Sequence, residues 1–357
     1  MLCGMDTTWM LYGANGYTGR LIAHLAAARG QRPVLAGRSA APVAALAAEL
    51  GLEHRAFDLA DAGAVRAALH GVGAVAHCAG PFSTTAAPMV DACLATGTHY
   101  LDITGEIDVF ERIHARDAEA RAAGTVLLPG AGFDVVPTDC LAALVAAEVP
   151  GADRLDLAIM PGRNLSPGTA KTALEGLALG GRARVGGRIV PVPAGWRTLS
   201  AGFPSGPRTV TSIPWGDVST AYHSTGVPGV TTYTVLPGGA AVRGLQALAG
   251  PLLRRPAVRR AAGRVIDRLV PGADAARRAG ARAEVWARAT APSGASATAA
   301  LTCPDPYDLT ADSVVRAVAR LLADEVKPGA HTPSTAFGPR YVADLDGVVL
   351  TGPARTA

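Results

Sequence analysis

Residues 9–30 read WMLYGANGYTGRLIAHLAAARG, an apolar run broken by Gly13, Gly16 and Gly19 and resumed as an alanine-rich stretch with helical spacing. The pattern predicts a strand, a tight turn and a helix. In such a turn the first glycine permits the bend, the second lets backbone approach a ligand, and the third lets the helix pack closely. The amides of Tyr17, Thr18 and Gly19, with Asn15 beside them, then face outward from a helix start, where a phosphate is held best. The spacing is GxxGxxG rather than GxGxxG, so the turn alone is weak evidence and its surroundings decide.

Those surroundings repeat the same unit. From Thr8 to Glu148 short apolar runs alternate with helical stretches: TWMLY and YTGRLIAHLAAA, PVLA and APVAALAAEL, HRAF and DAGAVRAALH, GAVAHC and TAAPMVDACLA, HYLDI and DVFERIHARDAEARAA, TVLLP and TDCLAALVAAEV. Six consecutive strand-then-helix units predict an α/β fold, a Rossmann-type doubly wound parallel sheet, with the strand ends lining one crevice.

The end of the second strand selects the cofactor. An NAD-binding fold places a carboxylate there for the ribose hydroxyls, but this chain has Ala36-Gly37-Arg38-Ser39. Arg38 can pair with a 2′-phosphate and Ser39 can add a hydrogen bond, so NADPH is the expected cofactor. Asp58, after the third strand, is a candidate for the adenine amino group or else a helix cap. After the fourth strand, Ala79, Gly80, Pro81 and Phe82 offer small residues against which a nicotinamide ribose can lie, and the proline ends the strand.

Composition bounds the alternatives. The 357 residues suggest two domains, and 49% hydrophobic residues suffice for real cores. The net charge of +4 is carried almost wholly by arginine, the only lysines being Lys171 and Lys327, and aromatics make up 5%. No basic run interleaved with aromatics appears, so no nucleic-acid partner is expected. Five scattered cysteines without paired spacing argue against disulfides and zinc, and for a reduced, cytoplasmic setting. No signal-peptide pattern opens the chain, no stretch is long enough for a membrane span, and no metal is expected. Neither lysine has a tyrosine four positions earlier, where Pro167 and Ala323 stand, so a Tyr-x-x-x-Lys reductase is excluded.

After Pro150 the composition turns to Gly, Pro, Thr and Val with short alternating runs, such as RIVPVPA, RTVTSI and VTTYTVL. This predicts an inserted α/β substrate domain on a mixed or antiparallel sheet. Residues 1–148 are thus read as the NADP-binding domain, 149–312 as a substrate and dimerisation domain, and 313–357 as a tail returning to the first. Exposed sheet edges in the second domain favour a homodimer.

With these motifs in place the chain resembles the saccharopine dehydrogenase-like oxidoreductases, in particular the trans-acting enoyl reductase branch. The resemblance rests on YGANGYTGR, LAGRS, CAGPF, GTHYLDITGE (97–106) and GAGFDVVPTDCLA (130–142). It continues through NLSPGTAKTALEGL, YHSTGVPGVTTYT and PSTAFGPRYV. Val135 stands where that family usually has a serine. The resemblance implies an NADP-binding Rossmann domain, an inserted substrate domain and a returning tail, and leaves the substrate open.

Reduction of an enoyl thioester needs a held nicotinamide, a donor for the developing enolate and a proton for the α-carbon. Asp102, Thr104 and Glu106 follow the fifth strand; Asp134 and Thr138 follow the sixth. Asp134 is a catalytic candidate, Glu106 and Thr138 substrate contacts, although Asp134, Thr138 and Asp139 can equally cap the next helix. Lys171, in an arginine-rich chain, is a candidate oxyanion donor or general acid, or else a solvated helix lysine. Tyr222 is a further catalytic candidate and His223 a substrate contact, the alternative being an ordinary sheet-edge pair. Arg254, Arg255, Arg259, Arg260, Arg264 and Arg268 recur at helical spacing. They form a solvated face or a docking face for an acyl carrier protein or an anionic membrane surface. The leading reading is reduction of an enoyl C=C bond. The alternatives are reduction of an imine or keto group, with Arg163 and Arg182 meeting a substrate carboxylate, and a non-catalytic NADPH sensor.

Overall fold

The computed structural model describes residues 8–162, 180–236, 238–240, 242–244, 255–269, 278 and 280–356. In chain order the first elements are β1 (Trp9–Tyr12), α1 (Tyr17–Ala28), β2 (Val34–Gly37), α2 (Ala40–Leu50), β3 (His54–Ala56), α3 (Ala62–Leu69), β4 (Ala74–His77), α4 (Phe82–Thr96), β5 (His99–Asp102), α5 (Ile107–His114), α6 (Asp117–Ala123), β6 (Val126–Leu128) and α7 (Val136–Glu148). Then follow β7 (Arg154–Met160), β8 (Gly181–Val185), β9 (Arg188–Val192), β10 (Thr198–Phe203), β11 (Gly206–Ile213), α8 (Asp217–Thr225), β12 (Gly229–Thr234), α9 (Pro256–Leu269), β13 (Ala283–Thr290) and β14 (Ser296–Cys303). The chain closes with α10 (Pro306–Leu322), β15 (Gly329–Ala330), α11 (Pro333–Phe337), a short 3-10 turn and β16 (Val349–Thr356).

Two compact units result, one of residues up to 136 with 307–341, the other of 137–306 with 342–357. The divisions expected from the sequence are 148/149 and 312/313. Helix α10 begins at Pro306, earlier than Ser313, and the tail divides: β15 pairs with β6, whereas β16 pairs with β14.

In the first unit seven strands run in the order β15-β6-β5-β4-β1-β2-β3, every pairing parallel. The order reverses between β1 and β4, which opens a crevice beyond their carboxyl ends. Strands β1, β2 and β4 are buried along their whole length, as their uninterrupted apolar runs require when both sheet faces are covered. Met10, Leu11, Leu35, Val75, Leu101 and Leu127 are fully buried, each contributing about 1.5–3 kcal/mol. The edge strand β3 is polar and partly exposed. The helix expected over 108–123 is two helices, separated at Ala115–Arg116, where the Arg116 guanidinium pairs with Asp91 at 2.5 Å and Glu119 at 2.8 Å.

In the second unit the strand order is β10-β11-β12-β7-β13-β14-β16, with the β8–β9 hairpin on β12. The sheet is mixed, because β12 and β7 run parallel while their other neighbours are antiparallel. Ala158, Phe203, Val210, Tyr233, Trp286 and Ala300 pack one face. Among them the buried Asp156 accepts from Tyr233 Oη at 2.9 Å and pairs with Arg288 at 2.8 Å, so its charge is compensated. Tyr222 and His223 lie on α8, not at a sheet edge.

Candidate functional site

The cradle starts at Gly13, whose φ of +85° is a left-handed conformation that glycine adopts without strain. A Cβ there would stand 2.8 Å from the Cys78 carbonyl carbon and 2.9 Å from Ala79 N. The backbones after β1 and β4 therefore meet across the point where strand order reverses. Gly13 N and Ala14 N both donate to Ala36 O, at 2.8 and 3.1 Å, tying the turn to β2. Gly16 N donates back to Gly13 O at 3.0 Å, and no side chain caps α1. A Cβ at Gly19 would press on the Gly13 carbonyl oxygen and stand 2.9 Å from Ala14 Cα. Glycines at 13 and 19 are thus needed for the approach, and helix geometry turns the first amides of α1 outward, as a diphosphate requires.

At the end of β2, Arg38 and Ser39 are exposed, and Ser39 occupies the cap position of α2 without bonding to it. No carboxylate pairs with Arg38 among the described residues. Asn15 leans over this strand end, since a Cβ on Gly37 would stand 3.1 Å from its Oδ1. The Tyr12 phenol, donating to Phe57 O at 3.1 Å, has its pKa pushed up to about 12 by burial, with Asp58 raising it further and Arg38 opposing. The Asp58 carboxylate accepts from Ala60 N, while Asp61 caps α3 through Gly63 N and Ala64 N. Asp58 is not that cap. An exposed guanidinium and hydroxyl with no acid after β2 fit a 2′-phosphate, and the glycine cradle fits the pyrophosphate.

Residues 9–128 match the saccharopine dehydrogenase NADP-binding domain family. Over that stretch the chain is similar to a saccharopine dehydrogenase NADP-binding domain. The chain is 37% identical over 139 residues to a trans-acting enoyl reductase of Mycobacterium leprae and 34% identical over 139 residues to one of Mycobacterium tuberculosis. Each match covers 36% of this chain and 33% of the relative, so the chain aligns with about a third of those proteins. Among solved structures, saccharopine dehydrogenase (L-Glu forming) of Saccharomyces cerevisiae shares the fold: TM-score 0.65, 16% identity, 98% of this chain and all (100%) of that one.

The other end of the NADP-binding domain's crevice is built from three loops. After β4, Ala79, Gly80 and Pro81 lead into α4 at Phe82, and the two carboxylate oxygens of Glu106 accept from Phe82 N at 2.8 Å and Ser83 N at 2.9 Å. Glu106, expected at substrate, is a cap that fastens the loop after β5 to the loop after β4. Asp102 is fully buried and accepts from Tyr100 Oη (2.6 Å), Thr104 N (3.0 Å) and Gly130 N (2.8 Å). Burial pushes its pKa up to about 6. It joins β5 to the segment after β6. In that segment Asp134 is half-buried, with its pKa also pushed up to about 6 by burial, and a Cβ on Gly105 would stand 2.8 Å from its Oδ2. Asp134 thus lies directly over the turn after β5 and can hold a proton near neutral pH.

His77, ending the otherwise apolar β4, was not singled out by the sequence reading. The Thr85 hydroxyl has one hydrogen and lies 2.6 Å from Ala79 O, so it accepts from His77 Nε2–H at 3.1 Å. His77 Nδ1 is then a bare acceptor, buried and unpartnered among the described residues, and burial lowers the pKa to about 3. The signal available in the sequence was a histidine closing a strand of small apolar residues.

The remaining candidates stand elsewhere. Thr138 is fully buried and donates to Asp217 at 2.7 Å, and Asp139 accepts from Ser224, so these side chains fasten α7 to α8. The Tyr222 ring lies 4.2 Å under the Arg184 guanidinium, which also donates to Val218 O and Gly187 O; His223, 5.8 Å from the Tyr222 ring, is exposed. Lys171 and Arg163, with the motif NLSPGTAKTALEGL, lie outside the described residues, as do Arg254 and the side chains of Arg259, Arg260 and Arg268. Among the described residues no cluster of metal-ligand type occurs, and no helix is long and apolar enough to cross a membrane.

Proposed function

We propose that this chain is an NADPH-dependent reductase of the C=C bond of an enoyl group carried on a thioester, in a biosynthetic setting. The relatives' name, trans-acting enoyl reductase, supports the enoyl reading. The single observation that carries it is Asp134. This carboxyl group, whose pKa burial pushes up to about 6, lies over the turn after β5, its Oδ2 2.8 Å from where a Cβ on Gly105 would stand.

Bound NADPH supplies a hydride. Asp134 holds the proton destined for the α-carbon, and Glu106 and Asp102 hold the loops beside it; Lys171 remains a candidate donor to the thioester oxygen. Tyr222 and His223 remain candidates for the substrate side. An acyl carrier protein delivers the substrate, with the exposed Arg255 and Arg264 among its docking charges, and the chain works as a cytoplasmic homodimer.

The experiment is NADPH oxidation by the purified protein with an enoyl thioester and, separately, with a keto acid plus an amine. Turnover of the thioester alone, falling at least about 100-fold in Asp134→Asn, is the expected result. Turnover of the second pair alone moves the chain to imine chemistry, and tight binding without turnover of either makes it a cofactor sensor.

A further inference from the structure

We propose that Tyr307, brought back by the C-terminal part of the chain, contacts the cofactor and, with Tyr17, walls the nicotinamide half of the crevice. This rests on the NADP-binding domain alone and not on the reaction proposed above. The family match ends at residue 128, so nothing in it reaches α10.

Tyr17 is the first residue of α1 and follows the Gly16 bend, so its backbone belongs to the phosphate cradle. The residue is 37% exposed, an unusual place to leave a large aromatic side chain. The Tyr307 ring meets it edge-on, with centroids 4.9 Å apart and planes at 87°. Two aromatic rings thus stand at the mouth of the glycine turn, one from each end of the unit's sequence.

The start of α10 is held there by a second contact. Thr310, one helical turn beyond Tyr307, accepts from Phe133 N at 3.0 Å, and a Cβ on Gly132 would stand 3.0 Å from its Cγ2. The first turn of α10 therefore touches the loop after β1 through Tyr307 and the loop after β6 through Thr310. In the strand order β6-β5-β4-β1 those loops bracket the ends of β4 and β5. That is the side of the reversal point on which the nicotinamide half lies, the adenine half lying over β2. Farther along, Asp312, only 6% exposed at its side chain, pairs with Arg29 at 2.5 Å, and Gln31 Nε2 donates to Val315 O at 3.4 Å, which ties α10 to the residues that follow α1. Tyr307 is consequently a rigidly presented ring, able to pack on the ribose and nicotinamide and to exclude water from them.

The test measures binding without substrate. The affinity of Tyr307→Ala is determined for NADPH and for adenosine 2′,5′-bisphosphate, which carries the adenine half and the 2′-phosphate but no nicotinamide. The proposal expects about tenfold weaker NADPH binding with unchanged affinity for the bisphosphate, and Tyr307→Phe within about twofold of wild type for both. Tyr307→Leu, which keeps bulk under the helix, repeats the measurement if the alanine variant does not fold. Unchanged NADPH affinity, or equal loss for both ligands, overturns the proposal, the second outcome marking a general loosening of α10.

Discussion

Glu106 caps Phe82 across a gap of 24 residues, its carboxylate taking the first two amides of α4. Hydrogen bonds to an ionised acceptor at a helix start are worth more than neutral ones, and the helix dipole adds to them. Glu106→Ala should lower the unfolding free energy by about 2–3 kcal/mol, and Glu106→Gln, which keeps one acceptor without charge, by about half that. Urea denaturation of both variants checks the order; equal losses would show that charge is irrelevant at this cap.

Two buried groups of the crevice oppose each other in pH dependence. His77 has its folded pKa lowered to about 3, so between there and its ordinary value of 6.5 the unfolded chain binds the extra proton and stability falls as pH falls. Asp102 has its folded pKa raised from 3.8 to about 6, so the folded chain binds the extra proton in that window and stability falls as pH rises. Each contributes a slope of about 1.4 kcal/mol per pH unit between pH 4 and 6, with opposite sign. Relative to wild type, His77→Gln should therefore lose stability less steeply on acidification, and Asp102→Asn more steeply. Denaturant midpoints at intervals from pH 4 to 7 measure both, and parallel curves for all three proteins would contradict the assignment.

Gly105 leaves room for Asp134. A methyl group at 105 would stand 2.8 Å from Asp134 Oδ2, so Gly105→Ala must displace the carboxylate or the turn, at a cost of about 1–3 kcal/mol. The expected kinetic outcome is a fall in kcat with NADPH affinity retained, because the cradle at Gly13–Gly19 lies at another strand end. Loss of NADPH affinity with unchanged kcat would separate Asp134 from the chemistry.

The alternating units were legible because parallel strands buried on both faces must be short and apolar; α1 runs over the expected 17–28 for that reason. The cofactor's phosphate was legible because it depends on one position, where Arg38 stands in place of an acid. The capping bonds of Glu106 are not legible in the sequence because its partners lie in another loop, and local spacing carries no trace of a cap made through space. The placement of Tyr222 and His223 on α8 was missed because DVSTAYHST has weak helical amphipathicity, the helix being held by buried polar ties such as Thr138 to Asp217. The break at Arg116 was likewise set by a distant partner, Asp91.

Titration of the protein and of Arg38→Ala with NADPH and NADH asks whether Arg38 holds the 2′-phosphate of NADPH. The wild type should prefer NADPH by about tenfold to hundredfold, the worth of a charge-assisted pair, and Arg38→Ala should bind the two cofactors about equally. Equal affinities in the wild type, or a preference unchanged in Arg38→Ala, would contradict it.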